Sequence, residues 1–389
     1  MFWIYVVVGI NVVLGSDKMV KIPYEKRLGH LNVEIYIGEP SLITTLEIDM
    51  GINYTWVSEF QYDIINSQSK QHEITTQLNF YNDKQLQALY IKDKITMFQL
   101  TSHIIINNFT FYYINADLTR YPYFESIGFG FNNGKPPSLF TALNTHGYIT
   151  YDSFTFANEP SNDNKGVLII GNTPNYYNNA YNKHPYTFEC PIPSTQTKWI
   201  CMVEQLSSSH KSLYINTQGI FNVNEDVILV PPYVIDYFRD EVFHNLIRSK
   251  ICYEDTTFIK GRTISCKYDI YNDTYDEIDF PEFQLTFTNG NALTFNEDNM
   301  FISGYAQRAF VLLFCENAKS DKGDIWLFGS KFITLFNIEF NYERHSLIFH
   351  SKTKLYRNYL KTQIHILTYL SLIMIFTIII LIIFKNKYI

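Results

Sequence analysis

A chain of 389 residues exceeds the ~100–200 residues of an ordinary single domain, so two lobes of similar size are expected. With 46% hydrophobic, 17% aromatic and only 18% charged residues, including 30 Tyr and 31 Phe, the composition excludes a disordered chain and supplies a large aromatic core. The 31 basic and 38 acidic residues leave a net charge of −7, which offers no basic face and argues against a nucleic-acid partner.

Phe2 to Leu14 is an apolar run that ends in the small residues Gly15 and Ser16. It reads as the hydrophobic region and cleavage zone of a secretory signal over 1–16, although no positive charge precedes it; an uncleaved anchor and a buried strand are the other readings. The body that follows is dominated by strand patterns. Short alternating or apolar runs stand at 31–38, 44–50, 90–100, 104–114, 166–171, 227–232, 283–295, 309–315 and 336–350. Asn289-Gly290 inside one of them predicts a type I′ hairpin, because both residues accept positive φ. Only Ser138–His146 and Tyr233–Arg248 have helical spacing.

A polar stalk over 351–363 leads to Ile364–Phe384, which contains no Lys, Arg, Asp or Glu and is followed by Lys385 and Lys387. At 1.5 Å per residue that stretch is long enough to span a bilayer, and the trailing lysines place the tail, 385–389, in the cytoplasm. The expected topology is single-pass type I, with the body lumenal or extracellular. A glycolipid-anchor signal is the rival reading, although such tails seldom end in lysines. The final KNKYI resembles a dilysine retrieval signal of the endoplasmic reticulum, with ordinary positive-inside anchoring as the alternative.

The five cysteines, Cys190, Cys201, Cys252, Cys266 and Cys315, form no C-x-x-C, and the histidines are scattered, so neither a metal nor any other cofactor is expected. Their odd number leaves one thiol outside any internal pairing. Sequons stand at Asn53, Asn108 and Asn272, and each is a candidate to carry a glycan.

The segment 31–57, LNVEIYIGEPSLITTLEIDMGINYTWV, resembles the opening of the pepsin-like aspartic proteases, with Gly38, Pro40, Asp49, Gly51, Trp56 and Val57 at matching places. Further similarities follow in the same order along the chain. NFYNDKQLQALYIKDKI (79–95) resembles the flap hairpin, with Tyr81 as its tyrosine; SIGFG (126–130) resembles the segment beneath the active-site loop; IWLFGSKFITLFNIEF (325–340) resembles the closing motif. The resemblance implies an all-β, bilobal fold with a central cleft, divided into lobes at 17–187 and 188–350, ahead of the C-terminal transmembrane helix read from the apolar run at 364–384. It also implies a disulfide between Cys266 and Cys315.

Catalysis in that family needs one aspartate from each lobe, sharing a proton across ~3 Å. Asp49 fits the first. Aligning Phe221 and Pro231 puts Asn222 in the second place, where an amide can neither ionise nor hold the shared proton. The threonines that brace the family's two loops are Met50 and Val223, the serine beside the first aspartate is Ile52, and the second glycine is Asn224. What the resemblance leaves is Asp49, Gly51, Trp56 and Tyr81 around a retained groove, with Glu225 and Asp226 expected to line it and to favour basic peptides. The expected function is a membrane-anchored, catalytically impaired homologue that binds a peptide or protein in the cleft. An acid endopeptidase built on Asp49 is the alternative, and an adhesion protein using the fold as scaffold is the third reading.

Overall fold

The structure, a computed structural model, describes residues 18–351 apart from 28–29, 60, 81–83, 100–101, 115–124, 160–161, 172–185, 210, 260, 268–278, 304–308 and 318–324. The expected signal, the stalk beyond Ser351, the spanning segment and the tail therefore lie outside the described residues, as do Tyr81 and Asn272. Among the described residues no helix is long and apolar enough to cross a membrane.

The first lobe is built from β1 (Val20–Arg27), β2 (His30–Ile37), β3 (Leu42–Asp49), β4 (Trp56–Ser58), β5 (His72–Phe80), β6 (Lys84–Phe98), β7 (His103–Ile114) and β8 (Ser126–Gly128), then β9 (Ser153–Glu159) and β10 (Asn162–Ile170). Alternation sets its faces: in β2, Leu31, Val33, Ile35 and Ile37 point to the core while the residues between them do not. After β11 (Tyr186–Pro191) the second lobe follows with β12 (Ile200–Ser208), β13 (Ser212–Phe221), β14 (Ile228–Val230), β15 (Cys252–Ile259), β16 (Gly261–Lys267), β17 (Phe283–Phe287), β18 (Asn291–Phe295), β19 (Phe301–Ser303), β20 (Ala309–Leu312), β21 (Phe314–Glu316) and β22 (Trp326–Phe328). The last strands, β23 (Ile338–Asn341) and β24 (Ser346–Ser351), return beside β9 and join β11 in the sheet that contains β1 and β10. The lobes thus share one sheet, and strands assigned by sequence to the second lobe are hydrogen-bonded to the first.

An aromatic cluster fills the junction. Trp199 is fully buried against Phe131, Phe154, Phe340 and Tyr342, and its Nε1 donates to the Phe129 carbonyl at 2.8 Å. The Tyr342 hydroxyl donates to the same oxygen at 2.8 Å. Both polar groups are satisfied where an unpaired one would cost ~1–3 kcal/mol.

Local expectations held where periodicity or turn chemistry was strong. Asn289 and Gly290 have φ of 68° and 71° between β17 and β18, and Ser138–Thr145 is helical. Tyr233–Arg248 is helical in pieces, with a wider π turn at Phe238–Val242 between two α segments.

The disulfide expectation needs correction. Cys266 bonds to Cys252, and Cys190 bonds to Cys201. The reason is register: Cys252 and Cys266 are directly opposed across β15 and β16, whereas Cys315 lies in β21 opposite Leu229 and is a buried free thiol.

Candidate functional site

Two loops with matching strand contacts, one from each lobe, form the candidate centre. The strand β3 delivers Asp49 and runs parallel to β8, with Asp49 opposite Gly128. Likewise β13 runs parallel to β22, with Phe221 opposite Phe328, so the next residue, Asn222, stands opposite Gly329. Asp49 Oδ1 accepts the backbone N–H of Gly51 at 2.7 Å, and Asn222 Oδ1 accepts that of Asn224 at 3.1 Å. The two glycines beneath have matching surroundings. A Cβ on Gly128 would sit 2.6 Å from the Ile52 carbonyl and the Tyr54 nitrogen, and one on Gly329 would sit 2.4 and 2.5 Å from the carbonyls of Glu225 and Val227. Those contacts fall three and five residues beyond Asp49 and Asn222 alike. Neither Gly51 nor Asn224 has a positive φ, so asparagine replaces the second glycine without backbone strain.

Asp49 is buried, and burial above all pushes its carboxyl up to about 6; the nearby Glu47 carboxylate pushes the same way, while the Gly51 and Ile52 N–H groups oppose both. Met50 and Val223, in place of the bracing threonines, are fully enclosed and offer only packing. Gly51 itself is exposed, with its N–H already committed to Asp49.

A different polar chain joins the loops. Glu47 stands two residues before Asp49 and on the same face of β3. It is buried, it lies 2.9 Å from Nδ1 of His30, and it accepts a hydrogen bond from the side chain of Asn224 in the other lobe. Burial holds the Glu47 carboxyl above the usual range, with His30 and Asn224 pulling it back. Close by, Lys26 of β1 forms an ion pair with Asp226, and its Nζ donates to Ser330 Oγ at 3.4 Å. The negative charge expected at Asp226 is therefore balanced by Lys26, and the acid that neighbours Asp49 is Glu47. Glu225 contributes its carbonyl, which accepts the N–H of Ser330 at 2.6 Å.

The flap hairpin forms from β5 and β6, paired as far as Phe80 and Lys84. Trp56, expected among the binding residues, is fully enclosed with Leu78, Ala88 and Ile114 in a small core of its own, so it supports the hairpin from below and presents no surface to a ligand. Tyr54, which the sequence did not single out, packs against this core, 5.4 Å from Tyr112 ring to ring; burial first and the Asp49 charge second raise its pKa. Among the described residues no group of three or more His, Cys, Asp or Glu side chains is gathered to hold a metal ion.

No family model matches the chain, and no curated protein matches it. Solved structures share its fold over most of its length, and two of them are basic 7S globulins. Basic 7S globulin from soybean superposes with a TM-score of 0.67 at 14% identity, covering 87% of this chain and 96% of its own. Conglutin gamma, a basic 7S globulin from lupine seeds, gives a TM-score of 0.66 at 11% identity with the same coverage. The fold is therefore the all-β, bilobal pepsin-like one, as expected. Membership of the protease family as a membrane-anchored pepsin is corrected: these two structural neighbours are 7S globulins, and no family model matches the chain.

Proposed function

We propose that the chain is a non-catalytic binding protein of pepsin-like fold, made in the secretory pathway, that holds a peptide or protein segment in the groove between its lobes. The observation that carries this reading is the equivalence of Asn222 with Asp49. With an amide at the second position the centre has one carboxyl from the pair, so no proton can be shared between two acids and no water can be activated while the other acid donates. Loss of one member of such a unit costs on the order of 10⁴–10⁶ in rate.

The surrounding shell supports the same conclusion. Hydroxyl braces have become Met50 and Val223, and the lobes are tied through Glu47–Asn224 and Lys26–Asp226, contacts that fix the loops without serving proton transfer. Attachment to a membrane through 364–384, with the body lumenal or extracellular, belongs to this proposal and rests on the apolar sequence there. The test is direct binding of the detergent-solubilised full chain to an immobilised peptide library. Peptides retained by the native chain and released when Gly51→Trp fills the groove support the reading; equal retention by both, or none, contradicts it.

A further inference from the structure

Between Asp93 and Ile95 of β6 the register with β7 shifts: Asp93 opposes Phe109 and Ile95 opposes Ile106, so Asn107 and Asn108 together stand opposite Lys94 alone. This is a β-bulge, and it turns two successive side chains outward where regular alternation would bury one. Asn108 takes φ of 63°, a left-handed conformation that asparagine accepts, and both asparagines are exposed while Ile106 and Phe109 on either side are fully buried. Asn108-Phe109-Thr110 is a sequon. The sequon at Asn53 differs: Asn53 lies half-buried in the loop after Asp49, and its Thr55 is enclosed.

The same face carries an apolar stripe in register across four strands. Ile43 opposes Tyr36, Tyr36 opposes Thr96, and Thr96 opposes Ile105. Directly opposed residues share a face. Ile43 is 59% exposed, and Phe98, 46% exposed, packs 4.8 Å from Tyr36. Asn108 lies three residues beyond Ile105, roughly 10 Å along β7 at ~3.3 Å per residue.

We propose that Asn108 carries an N-linked oligosaccharide that lies over this stripe. The Asn108 amide nitrogen would lose a proton and bond to the anomeric carbon of a lipid-pyrophosphate-linked oligosaccharide, and the lipid pyrophosphate would leave. The inference rests on the secretory reading above, because that donor is lumenal.

The full chain would be made in a secretory eukaryotic host, solubilised in detergent, treated with peptide N-glycosidase, and mapped by mass for Asn-to-Asp conversion at each sequon. Conversion at Asn108 is expected, with loss of one glycan's mass in Asn108→Gln and equally in Thr110→Ala, which keeps Asn108 and its backbone conformation. Self-association of the glycosidase-treated chain, read by sedimentation, is expected to rise and to fall again when Ile43→Ser and Phe98→Ser are combined. An unconverted Asn108 beside a converted Asn272 would overturn the proposal alone, whereas no conversion at any sequon would overturn it together with the secretory reading. Self-association unchanged by deglycosylation would overturn the placement over the stripe.

Discussion

Glu47 and Asp49 stand two residues apart on one face of the same strand, and the charge of the first adds to the burial that keeps the second protonated up to about pH 6. Glu47→Gln removes that charge and keeps an acceptor for Asn224. The Asp49 carboxyl is then expected to titrate below its native value. Carbon-13 NMR of aspartate carboxyls across pH 3 to 8, assigned with Asp49→Asn, reads this directly; an unchanged midpoint would show that the Glu47 charge does not act on Asp49.

Asp49 also makes stability depend on pH. Its carboxyl rises from an ordinary 3.8 to about 6 in the fold. Between those values the folded chain keeps a proton that the unfolded chain has released, so stability falls as pH rises through that window and stays low above it. The full loss is ~3 kcal/mol. Asp49→Asn keeps an acceptor for the Gly51 N–H, as Asn222 does for Asn224, and is expected to raise the urea midpoint at pH 7 while leaving it unchanged at pH 3.5. An equal shift at both pH values would mean that the gain comes from packing and not from the charge.

Asp93 and Asp226 should differ sharply although both are paired. Asp93 is fully enclosed and accepts from Tyr62 at 2.5 Å, Ser67 at 2.7 Å, Ser69 and the Lys94 backbone at 2.6 Å. Removing it strands several donors, and Asp93→Ala is expected to cost ~2–4 kcal/mol. The Asp226 side chain is 46% exposed, so Asp226→Ala is expected to cost under ~1 kcal/mol in spite of the Lys26 ion pair. Chemical denaturation of both variants checks the order.

The cysteine arrangement predicts that, unfolded without reductant, the chain takes up one equivalent of a thiol reagent, at Cys315. Cys315→Ala then leaves none, and Cys252→Ala exposes Cys266 as a second reactive thiol and lowers stability by ~2–5 kcal/mol. Peptide mapping of the labelled chain checks the assignment.

Much of the fold was legible in the sequence because each strand carries its own alternation and the turns carry their own chemistry: Asn289-Gly290 could hardly specify anything but a tight hairpin. The position of Asn222 was legible for a similar reason, since Phe221 and Pro231 bracket it locally. Glu47 was not. In LITTLEID it occupies an ordinary polar place of an amphipathic strand, and nothing nearby tells that this face meets Asn224, which follows it by 177 residues in the chain. The pairing of Cys252 with Cys266 depends on the register of β15 against β16, which spacing does not encode. The same limit explains Trp56, whose place beneath the flap hairpin is set by strands 20 to 60 residues away.

The central claim is tested most directly by cleavage of a diverse peptide mixture by the detergent-solubilised full chain from pH 3 to pH 7, alongside Asp49→Ala and Asn222→Asp. The account predicts no cleavage by the native chain at any pH, and none by Asp49→Ala. Cleavage by the native chain that disappears in Asp49→Ala would contradict it, because Asp49 would then be working with a partner other than the residue at 222.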